Sequence, residues 1–257
     1  MTSYLDQLFS LRDRVAVVTG GSSGIGRAIA LALGQAGASV AIVARDAGNL
    51  RTAVEELATV GCQAASVQAD LGDRGALDRA AEEVYAAVGA PDVLVNCAGL
   101  NLRPPMGQLT IEQWDGLVAV NLTAPFLLGQ HFGPKMAERG WGRIINVTSQ
   151  QADRAFGNSG GYGAAKGGVA SLTRSQSEAW AARGVCCNGI CPGFVVTPLT
   201  AEVSADPVRL AALANRTMVG RNGLPGDFAG AAVFLASAAS DYVTGQIIRV
   251  DGGFSAT

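Results

Sequence analysis

Short runs of β-branched and other apolar residues alternate along the chain with segments whose apolar positions recur at helical spacing. The strand-like runs are Val15–Thr19, Ser39–Ala44, Ala64–Gln68, Val93–Asn96, Arg143–Val147, Val185–Ile190 and Ile247–Val250. Between them, Ile25, Ile29 and Leu33 share one helical face, as do Leu50, Val54 and Leu57, and then Leu77, Val84 and Val88. Strands that alternate with helices predict βαβ units and a parallel sheet. The runs are apolar at nearly every position, as a sheet covered on both faces requires. The expected architecture is α/β: one domain over residues 1–257, with a doubly wound parallel sheet of seven strands and helices on both faces. The least patterned stretch, residues 194–225, carries Pro198, Pro207 and several charges. It is expected to form a flap over the sheet edge, inside that same domain.

Composition narrows the partners. The 257 residues are 49% hydrophobic and 16% charged, with a net charge of −2. No basic field is available for nucleic acid or an anionic membrane, so neither is expected as a partner. No apolar run approaches the roughly 20 residues of a membrane span. The first fourteen residues mix apolar positions with Asp and Arg, unlike a signal peptide, and the expected location is the cytoplasm. Five cysteines, an odd number in such a chain, argue against a disulfide framework. With His131 as the single histidine, no zinc site can be assembled and no metal is expected.

The first candidate for chemistry is a turn. Val15–Thr19 runs into Gly20-Gly21-Ser22-Ser23-Gly24-Ile25-Gly26, and a helical pattern follows. Backbone N–H groups and a helix N-terminus facing an anion make a phosphate cradle, and glycines let the ligand approach. One or two glycines would satisfy a tight turn with positive φ; four in seven residues favour binding. The P-loop pattern is excluded, because Arg27 and Ala28 stand where Lys and Ser or Thr are needed.

The second candidate is Tyr162-Gly163-Ala164-Ala165-Lys166, which opens a helical segment over Gly163–Ala182. Helical positions i and i+4 share a face about 5–6 Å apart. Tyrosine, with a pKa of about 10, is a poor base at neutral pH. A neighbouring ammonium and a helix N-terminus both favour the phenolate. The pair is an acid/base device for a hydroxyl proton; the plainer alternative is a solvated Lys beside a packed Tyr. A third motif, Gly157-Asn158-Ser159-Gly160-Gly161, matches the Gly-x-Ser-x-Gly hydrolase elbow. That elbow must join a strand to a helix, with a histidine later in the chain. Here no strand pattern precedes it and His131 lies upstream, so a hydrolase is set aside.

These motifs together resemble the short-chain dehydrogenases/reductases, over Arg12–Phe254. Thr19-Gly20-x-x-x-Gly24-x-Gly26 resembles their cofactor turn, and Asp70-Leu71 their adenine contact. Asn96-Cys97-Ala98-Gly99 is similar to their Asn-Asn-Ala-Gly, with Cys97 in place of the second asparagine. Asn121 falls where their helix asparagine lies, Ser149 ends the fifth strand as their catalytic serine does, and Tyr162-x-x-x-Lys166 follows. Pro192-Gly193, with Val195 and Thr197 after it, resembles their nicotinamide-side loop. The resemblance implies a Rossmann fold and hydride transfer between a nicotinamide cofactor and a ketone or secondary alcohol. It implies Ser149, Tyr162, Lys166 and Asn121 as catalytic residues. For the cofactor it implies Gly20, Ser22, Ser23, Gly24, Ile25, Gly26, Asp70, Leu71, Asn96, Ala98, Gly99, Tyr162, Lys166, Pro192, Gly193, Val195 and Thr197.

The residue ending the second strand decides between the two nicotinamide cofactors. An acidic side chain there suits the ribose of NAD, and an arginine nearby the 2′-phosphate of NADP. The chain reads Val43-Ala44-Arg45-Asp46, which favours NADP(H) through Arg45; the alternative is a surface Arg45 paired with Asp46. Substrate is expected against Ser149, Gln151, Tyr162, Arg103 and Arg154, with Gln150, Asp153 and Asn101 beside them. Such polar groups suit a hydroxylated or acidic substrate. The segment from Gly220 to Gly253 resembles a gluconate 5-dehydrogenase branch, which implies a sugar acid or polyol; it also resembles 3-oxoacyl-carrier-protein reductases, the alternative. A non-catalytic NADP-binding sensor is the alternative of another class. Small residues on the Tyr162 helix (Gly163, Ala164, Gly167, Gly168, Ala170, Ser171), with residues 111–139, imply a homotetramer by family resemblance.

Overall fold

Strand β1 (Val15–Thr19) lies near the middle of a seven-stranded sheet ordered β3-β2-β1-β4-β5-β6-β7. The computed structural model describes residues 3–256. The other strands are β2 (Ser39–Ala44), β3 (Ala64–Gln68), β4 (Val93–Asn96), β5 (Gly142–Val147), β6 (Val185–Pro192) and β7 (Ile247–Val250), and every pairing is parallel. The chain works outward from β1 to β3, returns to β4 on the other side, and works outward to β7. That reversal opens a crevice between β1 and β4 at the carboxyl ends of the strands, the place where such sheets bind ligands.

Helices α1 (Tyr4–Phe9), α2 (Gly24–Gln35), α3 (Ala47–Thr59) and α4 (Arg74–Val88) are followed by α5 (Ile111–Val118), α6 (Ala124–Glu138) and α7 (Gly160–Trp180). Short α8 (Ala201–Ser204) and α9 (Pro207–Ala214) precede α10 (Ala229–Ala236). Strand residues alternate between two cores, as a two-residue repeat dictates. Val18, Ile42, Val95 and Ile145 pack with Ile29 and Leu33 of α2, Leu57 of α3 and Leu235 of α10. Val17, Val43, Leu94 and Ile144 pack on the opposite face with Leu77 and Val84 of α4, Phe132 of α6 and Trp180 of α7. Both faces are dry, which is why the strands read as continuous apolar runs.

Of the boundaries that differ from expectation, two bear on the site. Helix α7 starts at Gly160, three residues before Gly163, so Tyr162 sits inside its first turn. The glycines that suggest a turn instead admit a neighbouring helix: a Cβ on Gly161 would stand 2.9 Å from Leu117 Cδ1 of α5. Strand β6 runs on to Pro192, because the last strand pairs with it there (Pro192 with Val250). Residues 194–225 carry α8 and α9, and their two ends meet in a bridge between Val195 and Gly223. Thr197 of this segment meets Gly24, which places the flap beside the carboxyl ends of the strands.

Candidate active site

The glycine turn is crowded by design of its sequence. Gly20 and Gly24 adopt φ of +67° and +52°, which side chains rarely tolerate. A Cβ on Gly26 would lie 2.3 Å from the Gly20 carbonyl oxygen, and one on Gly20 would lie 2.9 Å from Ala98 Cα. The turn is tied to β4 by Thr19, whose hydroxyl accepts hydrogen bonds from Cys97 N–H (3.0 Å) and Ala98 N–H (3.2 Å). Helix α2 therefore begins in a cradle that only glycine backbone can line, a fit for a phosphate-bearing cofactor.

A cavity of about 720 Å³ opens from this cradle. Gly20, Ser22, Ser23, Gly24, Ile25 and Gly26 line it, as do Arg45, Asp70 and Leu71. Arg45 makes no ion pair among the described residues; the Asp46 carboxylate instead caps α3 by accepting from Asn49 N–H at 2.6 Å. Ala98, Gly99, Pro192, Gly193, Val195 and Thr197 also line the cavity. Asn96 is absent from the wall. It is buried, and its amide donates to Asn146 Oδ1 (2.8 Å), which in turn reaches Thr173 and Gln176 of α7. The expected cofactor contact is thus a brace between β4, β5 and α7.

Ser149, Tyr162 and Lys166 line the same cavity. Ser149 lies two residues beyond β5, and its hydroxyl accepts from Gln151 N–H at 3.2 Å. Tyr162 is 8% exposed. Burial pushes its phenol up to about 12, although the Ser149 hydroxyl and the Arg103 charge pull the other way. Lys166, one turn along α7, donates from its amine to the Val147 carbonyl at 2.7 Å. Its nitrogen is 5.8 Å from the Tyr162 ring centre. Burial lowers the Lys166 amine to about 8. Burial of the phenol thus opposes the lowering that a neighbouring ammonium would bring.

Asn121 occupies a π-helical turn, Ala119–Thr123, between α5 and α6. Its Oδ1 accepts from Leu100 N–H (3.3 Å), and its Nδ2 donates to the carbonyls of Leu100 (2.8 Å) and Leu117 (2.9 Å). All three bonds are to backbone groups of Leu100 and Leu117, and none reaches Ser149, Tyr162 or Lys166. They fix the loop after β4 at Gly99–Leu100, and Asn121 does not line the cavity.

On the substrate side, Arg103 and Gln151 line the cavity as expected, together with Asn101 and Gln150. Arg154 does not. Its guanidinium donates to the Ser255 carbonyl at 2.5 Å, and Asp153 pairs with Arg249. The loop beyond Gln151 packs down on the chain's last turn, with Phe156 stacked on Phe254 at 5.9 Å between ring centres. Arg216, at the end of the flap, covers the same Phe254 ring at 4.2 Å. Cavity residues that the sequence pattern does not reveal include Glu202 and Arg209. Glu202 and Arg209 sit on α8 and α9, too short to show periodicity, and charge alone marks them.

The Gly-x-Ser-x-Gly motif makes no elbow. Ser159 precedes α7 in a turn where Asn158 has φ of +59°, and its hydroxyl accepts from Phe156 N–H. His131 pairs with Asp78 on the outer side of α6. No group of metal-ligating side chains occurs among the described residues.

Comparison with known proteins agrees with this geometry. Residues 20–255 match the family described as Enoyl-(Acyl carrier protein) reductase. The 5-keto-D-gluconate 5-reductase of Escherichia coli (strain K12) is 37% identical over 249 residues, covering 97% of this chain and 98% of that one. A gluconate 5-dehydrogenase from Burkholderia cenocepacia J2315, solved with NADP and tartrate, superposes with a TM-score of 0.94 at 36% identity, covering 99% of this chain and 100% of that one. A 3-oxoacyl (acyl-carrier-protein) reductase from Agrobacterium tumefaciens C58, with NADP bound, gives 0.92 at 33% identity, covering 96% of each chain. A cavity lined both by a glycine cradle and by a serine, a buried phenol and a lysine thus occurs in a chain alike over nearly its whole length to such enzymes. The chain belongs to the short-chain dehydrogenase/reductase family and is an NAD(P)-dependent oxidoreductase.

Proposed function

We propose that the protein is an NADP(H)-preferring reductase of a sugar-acid ketone, forming the secondary alcohol. The observation that carries the reading is that Tyr162, Ser149 and Lys166 line the same cavity as the glycine cradle. A bound nicotinamide would supply the hydride to the carbonyl carbon. Tyr162 gives its proton to the carbonyl oxygen, and Ser149 donates a hydrogen bond to that oxygen as charge builds there. Lys166, one turn along α7 and anchored to the Val147 carbonyl, would hold the ribose of a bound cofactor. The cradle Gly20–Gly26 and the start of α2 take the phosphates. Asp70 and Leu71 would hold the adenine of a bound cofactor, and Pro192, Gly193, Val195 and Thr197 its nicotinamide. Asn96 and Asn121 act from behind the wall, as positioning residues.

Arg45 supports NADP over NAD. It reaches the cavity with no ion pair, and a planar, fixed-charge guanidinium suits a phosphate. Arg103 supports an acidic substrate, since its guanidinium lines the cavity and its charge acts on Tyr162. The names of relatives at 34–40% identity, gluconate and 2-dehydro-3-deoxy-gluconate dehydrogenases among them, support the same substrate class. We place the enzyme in the cytoplasm as a homotetramer. Exposed Ile111 and Phe126 on α5 and α6 support self-association, and no described helix is long and apolar enough to cross a membrane. A screen of keto acids and acyl thioesters, followed at the NADPH absorbance band, tests the reading. Turnover of 5-keto-D-gluconate that is lost in Tyr162→Phe is the expected result; turnover of acyl thioesters alone overturns it.

A further inference from the structure

Helix α7 carries one buried stripe at three- and four-residue spacing: Tyr162, Lys166, Val169, Thr173, Gln176 and Trp180. The first two belong to the site. Thr173 and Gln176 do not line the cavity, yet both are polar and at most 3% exposed. They meet Asn146 of β5, a strand whose six residues are all buried and whose Ile144, Ile145 and Val147 are apolar. The Asn146 amide donates one hydrogen to Thr173 Oγ1 (3.0 Å) and one to Gln176 Oε1 (2.9 Å), and its oxygen accepts from Asn96 Nδ2 (2.8 Å). Thr173 gives its own proton to the Val169 carbonyl at 2.9 Å, which leaves the hydroxyl oxygen turned to accept.

Stability does not account for this set. An apolar core of the same shape is as stable as a buried polar network, or more so. This network also leaves Asn96 Oδ1 and Gln176 Nε2 without a partner among the described residues. What directional bonds add is register: apolar side chains let a helix slide on a sheet, whereas Asn146 meets both partners at one setting. Helix α6 is shaped around the same stripe. A Cβ on Gly129 would lie 2.3 Å from Gln176 Nε2, and one on Gly133 would lie 2.6 Å from the Trp180 ring.

The residue after Asn146 makes the other tie, since the Val147 carbonyl accepts from the Lys166 amine. Lys166 and Thr173 stand seven residues apart, about 10 Å of helix. One tie leaves α7 free to pivot, and the second removes that freedom. We propose that Asn146 is a positioning residue for the reaction: its bonds to Thr173 and Gln176 set where α7 stands along β5, and so set the reach of the Tyr162 phenol to a substrate oxygen held by Ser149. The inference rests on the proton-transfer role given to Tyr162 above and is independent of the substrate class. Its size follows from geometry, because a misplacement of about 1 Å between reacting groups costs about 100-fold in rate.

The experiment measures steady-state reduction by NADPH of 5-keto-D-gluconate, or of acetoacetyl-CoA should the wild type turn over that one instead. In Asn146→Leu, kcat is expected to fall about 100-fold, and in Thr173→Val, which keeps the side chain's shape, about 10-fold. Thr173→Ser, which keeps the hydroxyl, stays within about twofold of the wild type. In the two impaired variants the Kd for NADPH stays within about threefold of the wild type, and the solvent deuterium isotope effect on kcat rises because the proton travels farther. A role in folding alone would lower the unfolding temperature and leave kcat per folded molecule and the isotope effect unchanged; that result overturns the inference. Wild-type kcat in folded Asn146→Leu or Thr173→Val overturns it as well, and should Asn146→Leu not fold, Thr173→Val decides alone. Full turnover in Tyr162→Phe overturns the assignment of the proton, and this inference with it.

Discussion

Lys166 and Tyr162 share one face of α7, yet the Lys166 amine gives its hydrogen bond to the Val147 carbonyl and leaves the Tyr162 phenol beside Ser149. The lysine is thereby pinned to the end of β5. Its charge acts on the site from a fixed point, 5.8 Å from the ring centre.

The pH profile of reduction follows from this arrangement. With its phenol near 12, Tyr162 holds a transferable proton throughout the neutral range. Lys166, lowered by burial to about 8, is the group that changes charge first as pH rises. The kcat/KM for ketone reduction should be level up to about pH 8 and fall about tenfold per pH unit beyond it. A profile still level at about pH 10 would assign the break elsewhere.

Burial of the same amine has a stability consequence. Between about 8 and its ordinary 10.5, the unfolded chain binds a proton that the folded chain does not, so Lys166 makes stability rise with pH through that window. At pH 7 the buried charge costs roughly 3 kcal/mol relative to a neutral group. Removing it orphans the Val147 carbonyl, which offsets about 1–3 kcal/mol. Lys166→Met should therefore match or exceed the wild type in thermal denaturation at pH 7 by up to about 2 kcal/mol, without turnover. A clear loss of stability would mean that the amine is not desolvated.

Arg45→Ala should raise the Kd for NADPH about 10- to 100-fold and leave NADH within about threefold, because only the former presents a phosphate to the guanidinium. Isothermal titration with each cofactor checks this. Equal losses for both would make Arg45 a structural residue.

Gly26→Ala tests the cradle. Its new Cβ would fall 2.3 Å from the Gly20 carbonyl, so the turn must move. A loss of about 1–3 kcal/mol in urea unfolding is expected from overpacking, with at least tenfold weaker binding of both cofactors. Wild-type binding in that variant would show that the turn does not hold phosphate.

The sheet was legible because apolar periodicity is set by burial on both faces, and Val15–Thr19, Ser39–Ala44 and Val93–Asn96 fall as their patterns predict. Ser149, Tyr162 and Lys166 were legible because their spacing from β5 and along α7 is local. What spacing does not carry is the direction in which a loop folds. Arg154, three residues past Gln151, turns to the chain's end because Ser255 and Phe254 come back beside it, contacts separated by about a hundred residues. Likewise the burial that lifts the Tyr162 phenol comes from elements distant in sequence, whereas the lysine four residues on is all that the motif reveals.

The short tail after β7 deserves to be seen as a tie-rod. Gly252 accepts Val219 N–H, Ser255 receives Arg154, and the Phe254 ring is gripped by Phe156 on one side and Arg216 on the other. The Ser149 loop and the flap, both of which line the cavity, are thus fastened to one strut. A change of ring size at position 254 would shift both jaws together, so the pocket's aperture is adjustable from a residue no ligand meets.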